Sequence, residues 1–322
     1  PRNASNQFYG PTPLRTGIER SRNLMTVRLA EEVGMTTVAG YAQRFGVYDR
    51  MDPFLANSLG SQETSLFRMV SAYSMFANGG ERVDPTLVDR VQDRWGTTIY
   101  RHDQRNCVGC GEREIRDGDL PNIESNRKRV MNPITAYQLT SMMRGVVERG
   151  TASGAVNLGI PTAGKTGTTN DARDVWFVGF TSTIAAGCYI GYDQPQPLGR
   201  GASGGKMCAP VFQKFMKEAI KKYGGGRFAI PPGGQFIKID RYNGARLPDN
   251  AIGEHVVAEY FRTGEEPIFG IAFDGGFAMG ANLPLFTDAE LGLTTQIETG
   301  SGEIIVIPDQ ATANEISSGG LY

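Results

Sequence analysis

Two hydrophobic rhythms divide this chain. The first places apolar residues three and four apart, the spacing of a helix that buries one face. It predicts a short helix over 12–20, with Thr12 as N-cap and Pro13 at the first helical position. A second helix carries Leu24, Val27 and Ala30 and stops at Val33-Gly34, and a third runs over 36–45 and closes at Gly46. Ser21-Arg22-Asn23 falls at the junction of the first two, where side chains can face a cleft instead of a core. Ser61-Gln62-Glu63-Thr64 predicts the opening of a further helix, with Phe67, Val70, Tyr73 and Ala77 on its stripe and Asn78-Gly79-Gly80 as its end. Asn132-Pro133 caps another, bearing Ala136, Leu139, Met143 and Val146 on one face. Pro210 begins the last, in which Val211, Phe215, Ala219 and Ile220 are spaced to pack on a sheet before Gly224.

The second rhythm is extended. Residues 88–100 read as a hairpin, and 159–169 and 174–180 as strands joined by the polar turn Asn170-Asp171-Ala172-Arg173. Residues 183–192 make a third strand. Such short connections predict antiparallel neighbours, and the helices on either side imply a layered α/β domain with helices over the sheet. Residues 102–130 are charged and aperiodic, an excursion with no core of its own and a solvated face of arginines. After Gly224-Gly225-Gly226 the character changes. One strand-like run follows, Phe236-Ile237-Lys238-Ile239, and from Gly276 to Tyr322 there is no Lys or Arg and one apolar run, Ile304–Ile307. The chain therefore divides into a domain over 1–226, an extension over 227–275 and a flexible acidic tail over 276–322.

Composition adds exclusions. With 40% hydrophobic and 21% charged residues in 322, this is the make-up of a soluble globular protein, and a net charge of -1 gives no reason to expect nucleic acid. No run of about 18 apolar residues exists to span a membrane. The chain starts at Pro1 within a polar run, as the cut end of a longer protein would, so any membrane anchor is expected in the missing N-terminal part. Four cysteines are too few for a disulfide scaffold. Cys188, inside an apolar run, reads as a small core residue. Cys107-Val108-Gly109-Cys110 reads as a local disulfide or free thiols before half a zinc site or a redox pair. No metal or cofactor is expected.

The candidate chemistry sits on the first strand of the sheet, at Lys165-Thr166-Gly167-Thr168-Thr169. Gly164 and Gly167 remove bulk where a ligand or backbone could approach closely. A cation beside hydroxyls on such a strand suits an anionic substrate lying along a sheet edge, against the plainer reading of a solvated strand end. Ser21-x-Asn23 carries little weight alone and gains some from its place at a helix junction.

Together these pieces resemble class A penicillin-binding proteins. The order Ser-x-Asn then Lys-Thr-Gly is that of the penicillin-binding protein and β-lactamase signature. The surroundings are similar too: Tyr9-Gly10-Pro11-Thr12-Pro13-Leu14-Arg15, Ala72-Tyr73 through Gly79-Gly80, Gly145-Val146-Val147-Glu148-Arg149-Gly150-Thr151-Ala152, and the run from Lys165 to Gly179. With Phe261-Arg262-Thr263-Gly264-Glu265-Glu266-Pro267, the resemblance covers residues 1–265. It implies an antiparallel sheet flanked by helices with an α-helical subdomain, truncated at the N-terminus. It further implies serine acyl transfer on peptidoglycan stem peptides at the periplasmic face of the bacterial inner membrane, with β-lactams acylating the same serine. The catalytic roles carried over fall on Ser21 (proton relay), Asn23 (substrate amide) and Lys165 (electrostatics around Ser21). Thr166, Gly167 and Thr168 would hold the substrate carboxylate, with the Thr168 N–H as an oxyanion donor.

One departure matters. The family's nucleophile motif S-x-x-K precedes Ser-x-Asn, and no such motif lies upstream of Ser21 in these 322 residues. Ser125-Asn126-Arg127-Lys128 and Ser203-Gly204-Gly205-Lys206 lie downstream and start no apolar-periodic helix, so both are read as accidental. The expectation is a C-terminal portion of a transpeptidase domain, inactive alone. The alternatives are a β-lactamase or D,D-carboxypeptidase, the β-lactamase disfavoured by the lack of an E-x-x-x-N element between Asn23 and Lys165, and a non-catalytic partner-docking domain.

Overall fold

The computed structural model describes residues 3, 5, 7–110, 122–267, 295–298 and 304–307. Three helices open it: α1 (Leu14–Glu19), α2 (Asn23–Val33) and α3 (Met35–Arg44). The Thr12 hydroxyl donates to the Gly10 carbonyl and does not cap α1, for which Pro13 is the N-cap residue. Helix α4 (Leu66–Ala77) begins later than the sequence predicts, because Ser65 is its N-cap and accepts the Arg68 N–H at 3.2 Å. Residues 61–64 are committed elsewhere: Ser61 and Gln62 bond Asn57, and Thr64 bonds the Val47 carbonyl. The buried line of α4 is Ala72 and Met75, and Phe67, expected on the stripe, is 60% exposed.

The hairpin expected over 88–100 is present as β1 (Arg90–Gln92) with β2 (Thr98–Arg101), and the arginine-rich excursion after it holds a second exposed antiparallel pair, β3 (Cys107–Val108) with β4 (Asn122–Ile123). Cys107 and Cys110 form a disulfide beside the second. Helix α5 (Pro133–Glu148) then starts as predicted, with the Asn132 side chain accepting the Ile134 N–H at 2.9 Å.

The central sheet follows: β5 (Ala163–Thr168), β6 (Asp174–Phe180) and β7 (Ala185–Gly191), antiparallel and in sequence order, with Lys165 opposite Val178 and Phe177 opposite Cys188. Helix α6 (Cys208–Tyr223) covers one face of it, starting two residues before Pro210. Its buried face is Cys208, Ala209, Phe212 and Met216, packed with Val175 and Phe177. Of the residues expected to pack, Ile220 does so, whereas Val211 and Phe215 are more than half exposed and border an open groove with Ala185 and Ala186. Both faces are apolar, so spacing alone could not choose between them. Cys188 is in the core as expected, but it is also bonded to Cys208, with Cα atoms 5.3 Å apart, so that β7 is tied to α6.

The extension is a second sheet, β8 (Gly234–Asp240) paired antiparallel with β9 (Val256–Arg262), a strand the sequence reading did not find. It docks on α5 through the ring of Tyr137, 5.2 Å from Tyr260 and 6.2 Å from Phe236, and through Gln138 Nε2 donating to the Tyr260 carbonyl at 2.8 Å. Within the expected tail, β10 (Thr295–Glu298) and β11 (Ile304–Ile307) pair antiparallel. The remainder of the tail lies outside the described residues.

Candidate active site

The site begins with how α1 ends. The Arg22 N–H bonds the Gly17 carbonyl at 2.9 Å, and the Ser21 N–H bonds the Ile18 carbonyl at 3.2 Å. This pair of bonds is a Schellman closure, which requires a left-handed residue at the position Ser21 holds. Ser21 has φ 53°, where glycine would be unstrained. The turn throws the Ser21 side chain off the helix axis and lets α2 start at once with Asn23.

Lys165 comes from β5, an edge strand. Its ammonium donates to Ser21 Oγ at 2.8 Å and to the Thr166 carbonyl at 3.0 Å. Residues 144 apart in sequence thus meet in one cleft. Burial lowers the Lys165 pKa from 10.5 to about 8, because the enclosed ammonium loses hydration that the two oxygens only partly replace. About a tenth of Lys165 is therefore neutral at pH 7. Because Ser21 Oγ accepts from Lys165, its own hydrogen is free to be donated elsewhere. The pair thus places a hydroxyl with a free proton beside a partly neutral amine, an arrangement able to pass a proton.

Strand alternation explains what faces the open edge. The Thr169 N–H bonds the Asp174 carbonyl at 3.0 Å, and antiparallel pairing then turns Gly167 and Lys165 inward as hydrogen-bonded positions. Thr166 and Thr168 direct their main-chain groups outward from the edge. Their hydroxyls already have neighbours: that of Thr166 is hydrogen-bonded to Thr151 Oγ1 at 2.6 Å, and that of Thr168 accepts the Gly204 N–H at 3.1 Å. A Cβ on Gly204 would run into the carbonyl oxygens of Trp176 and Gly167, and one on Gly205 into that of Thr151. The string read as an accidental S-x-x-K is therefore a glycine turn seated against the K-T-G strand. Its signal in the sequence was the glycine pair and not the serine or the lysine.

Two more residues escaped the sequence reading. Glu19 is 2% exposed and receives Arg149 Nε at 3.0 Å and Nη2 at 2.5 Å, and its carbonyl accepts the Thr151 N–H at 3.1 Å. Nothing in periodicity marks a buried glutamate on a six-residue helix. Among the described residues, no group of three or more His, Cys, Asp or Glu could hold a metal ion, and the hydroxyl, amide and ammonium donors of the cleft suit an anion.

Comparison with known proteins shows the family of the chain. Residues 2–217 match the family described as the penicillin binding protein transpeptidase domain. The penicillin-binding protein 1A of Rickettsia bellii (strain RML369-C) is 42% identical over 259 residues, 79% of this chain and 32% of that protein. The protein of the same name from Pseudomonas aeruginosa is 30% identical over 299 residues, 83% of this chain and 36% of its own length. The crystal structure of penicillin-binding protein 1A from Haemophilus influenzae superposes with a TM-score of 0.67 at 26% identity, over 83% of this chain and 42% of that one. This chain spans about a third of the length of the curated relatives it matches. The expected sheet with its flanking helices is present, the motifs stand in the expected order, and the chain belongs to the transpeptidase-domain family of the class A penicillin-binding proteins.

Proposed function

We propose that this chain is the C-terminal portion of a peptidoglycan D,D-transpeptidase domain and supplies the proton-relay and carboxylate-binding half of a serine acyl-transfer site. The observation that carries the reading is the 2.8 Å contact between Lys165 and Ser21 beside the open edge of β5. A serine upstream of Pro1, activated by its lysine, attacks the D-Ala-D-Ala amide of a stem peptide. Ser21 gives its proton to the departing D-Ala amine and is replenished from Lys165, while Asn23 orients the substrate amide. Thr166 and Thr168 hold the terminal carboxylate, and the outward N–H of Thr168 is one oxyanion donor. An amine from a second strand resolves the acyl-enzyme. β-Lactams enter by the same route, and the parent protein is anchored at the periplasmic face of the inner membrane by sequence outside this chain.

The test is intact-protein mass spectrometry after incubation with a labelled penicillin. The 322-residue chain should form no covalent adduct. A longer chain that includes the upstream S-x-x-K should form one stoichiometrically, and Lys165→Ala in it should slow acylation by about a hundredfold or more. An adduct on the shorter chain would displace the nucleophile to Ser125 or Ser203. Failure of the longer chain to react would remove the transpeptidase reading altogether.

A further inference from the structure

Behind the Ser21 turn lies a row of four charges drawn from three parts of the chain, three of them buried and the fourth, Arg149, partly exposed. Arg15, 2% exposed, places Nε and Nη2 each at 2.5 Å from the carboxylate of Glu259 on β9. Its Nη1 lies 3.4 Å from Glu19 Oε1, and Glu19 is in turn gripped by Arg149. Ser141 on α5 closes the fork around Arg15, offering its carbonyl at 3.0 Å and its hydroxyl at 2.8 Å. Burial alone would lower the Arg15 pKa, but the hydrogen bonds and charges of Glu259 and Glu19 outweigh it and hold it above the ordinary arginine value. Two arginines balance two glutamates, as burial of Arg15, Glu19 and Glu259 requires, and the row reaches the surface at the partly exposed Arg149, whose Nη1 also bonds Glu148 at 3.0 Å.

We propose that Glu259, on the C-terminal hairpin, is a positioning residue for the relay, because it satisfies Arg15 and so leaves Glu19 committed to Arg149. Glu19 fixes both walls of the cleft. Ser21 is two residues further along the same turn, and Thr151, held by the Glu19 carbonyl, supports Thr166. A Cβ on Gly145 would overlap the Glu19 carboxylate and the Arg149 guanidinium, so this pair is packed directly against the backbone of α5. Once Glu259 is neutralised, Arg15 becomes a buried cation whose nearest carboxylate is Glu19. Glu19 then turns towards Arg15, its grip on Arg149 loosens, and the Ser21 turn moves with it. The family match ends at residue 217, whereas this row takes its fourth charge from residue 259, so the working unit includes a hairpin outside that match.

This inference rests on the relay reading of Ser21 and Lys165, but its test needs no turnover and is read on the 322-residue chain itself. The side chain of Lys165 is titrated by NMR in protein carrying 13C- and 15N-labelled lysine. In Glu259→Gln, displacement of Ser21 admits water to the ammonium, and the Lys165 midpoint should rise by about one unit or more towards the free-lysine value. Simple loss of a negative charge would lower the midpoint, so the sign separates displacement from field. Glu259→Asp, which keeps the charge and draws it back by one methylene, should shift the midpoint in the same direction by less. It also covers the case in which the Gln variant does not fold. Arg15→Gln with Glu259→Gln, which removes the competing cation and leaves Glu19 to Arg149, should restore the original midpoint. Gln235→Ala, on the exposed side of the hairpin, should leave it unchanged. An unchanged or lowered midpoint in a folded Glu259→Gln or Glu259→Asp protein overturns the proposal, and so does failure of the double variant to restore it.

Discussion

Ser21 occupies a helix-terminal position where a left-handed residue is needed and glycine is the usual solution. A serine there costs roughly 1 kcal/mol in backbone strain, and strain of this kind tends to be retained where a side chain is needed for function. Ser21→Gly should therefore raise unfolding stability by about 1 kcal/mol in urea titrations, while the same change in the longer chain should abolish efficient acylation. Equal or lower stability would mean that the hydroxyl's bond with Lys165 outweighs the strain. Lys165 makes a second prediction. Its folded pKa of about 8 lies below its unfolded value, so below pH 8 the cost of burying the cation is fully present. Between about pH 8 and 10.4 the unfolded chain binds the extra proton, and stability should climb by at most about 3 kcal/mol. The climb is best read below pH 10. Above that, Tyr73, pushed up to about 12 by burial, works in the opposite direction. Lys165→Met should flatten the climb in urea titrations stepped through pH, and an unchanged slope would show that the ammonium is hydrated in the folded state.

At the scale of elements, α6 shows how the tertiary environment selects between two apolar faces. Residues 208, 212 and 216 meet the sheet, and the ring of Phe212 lies 4.8 Å from that of Phe177. Val211 and Phe215 look outward beside the groove along β7. Truncation of a buried aromatic removes transfer energy and leaves a cavity, so Phe212→Ala should cost about 3–5 kcal/mol in chemical denaturation of this chain. Phe215→Ser should stay within about 0.5 kcal/mol of the parent. Equal effects would mean that the helix is rotated from the orientation described. The same selection operates at Gly204-Gly205, where the turn lies so close to β5 that its N–H becomes a partner for Thr168.

At the scale of the whole molecule, the cleft is assembled from a helix-terminal turn near residue 20, a helix end near 150, a sheet edge near 165 and a glycine turn near 204. The hairpin of β8 and β9 stands behind them, tied in by Tyr137, Gln138 and Arg15. Breaking a buried ion pair from one side typically costs about 3–5 kcal/mol. Loss of Glu259 from the buried Arg15 contact would therefore be felt in the folding of the chain as well as behind the Ser21 turn. The division of the chain into a domain over 1–226 and an appended segment describes composition; the Arg15–Glu259 contact joins the two parts physically.

Local patterns were enough to determine a good deal of this protein. Short connections between β-rich runs decided the antiparallel order of β5, β6 and β7, because chain length leaves no other partner within reach. Asn132 and Pro133 decided where α5 starts, since capping is a property of neighbouring residues. The spaced motifs at Ser21 and Lys165 marked the cleft, because chemistry needs particular side chains in any fold. What remained depended on contacts across the chain. The buried face of α6, the bond between Cys188 and Cys208 and the charge row from Arg15 to Glu259 each join residues 20 or more apart. No periodicity records such pairings: Glu19 and Glu259 look in sequence like solvated glutamates, and only the packing of α1, α5 and β9 removes them from water and gives each an arginine.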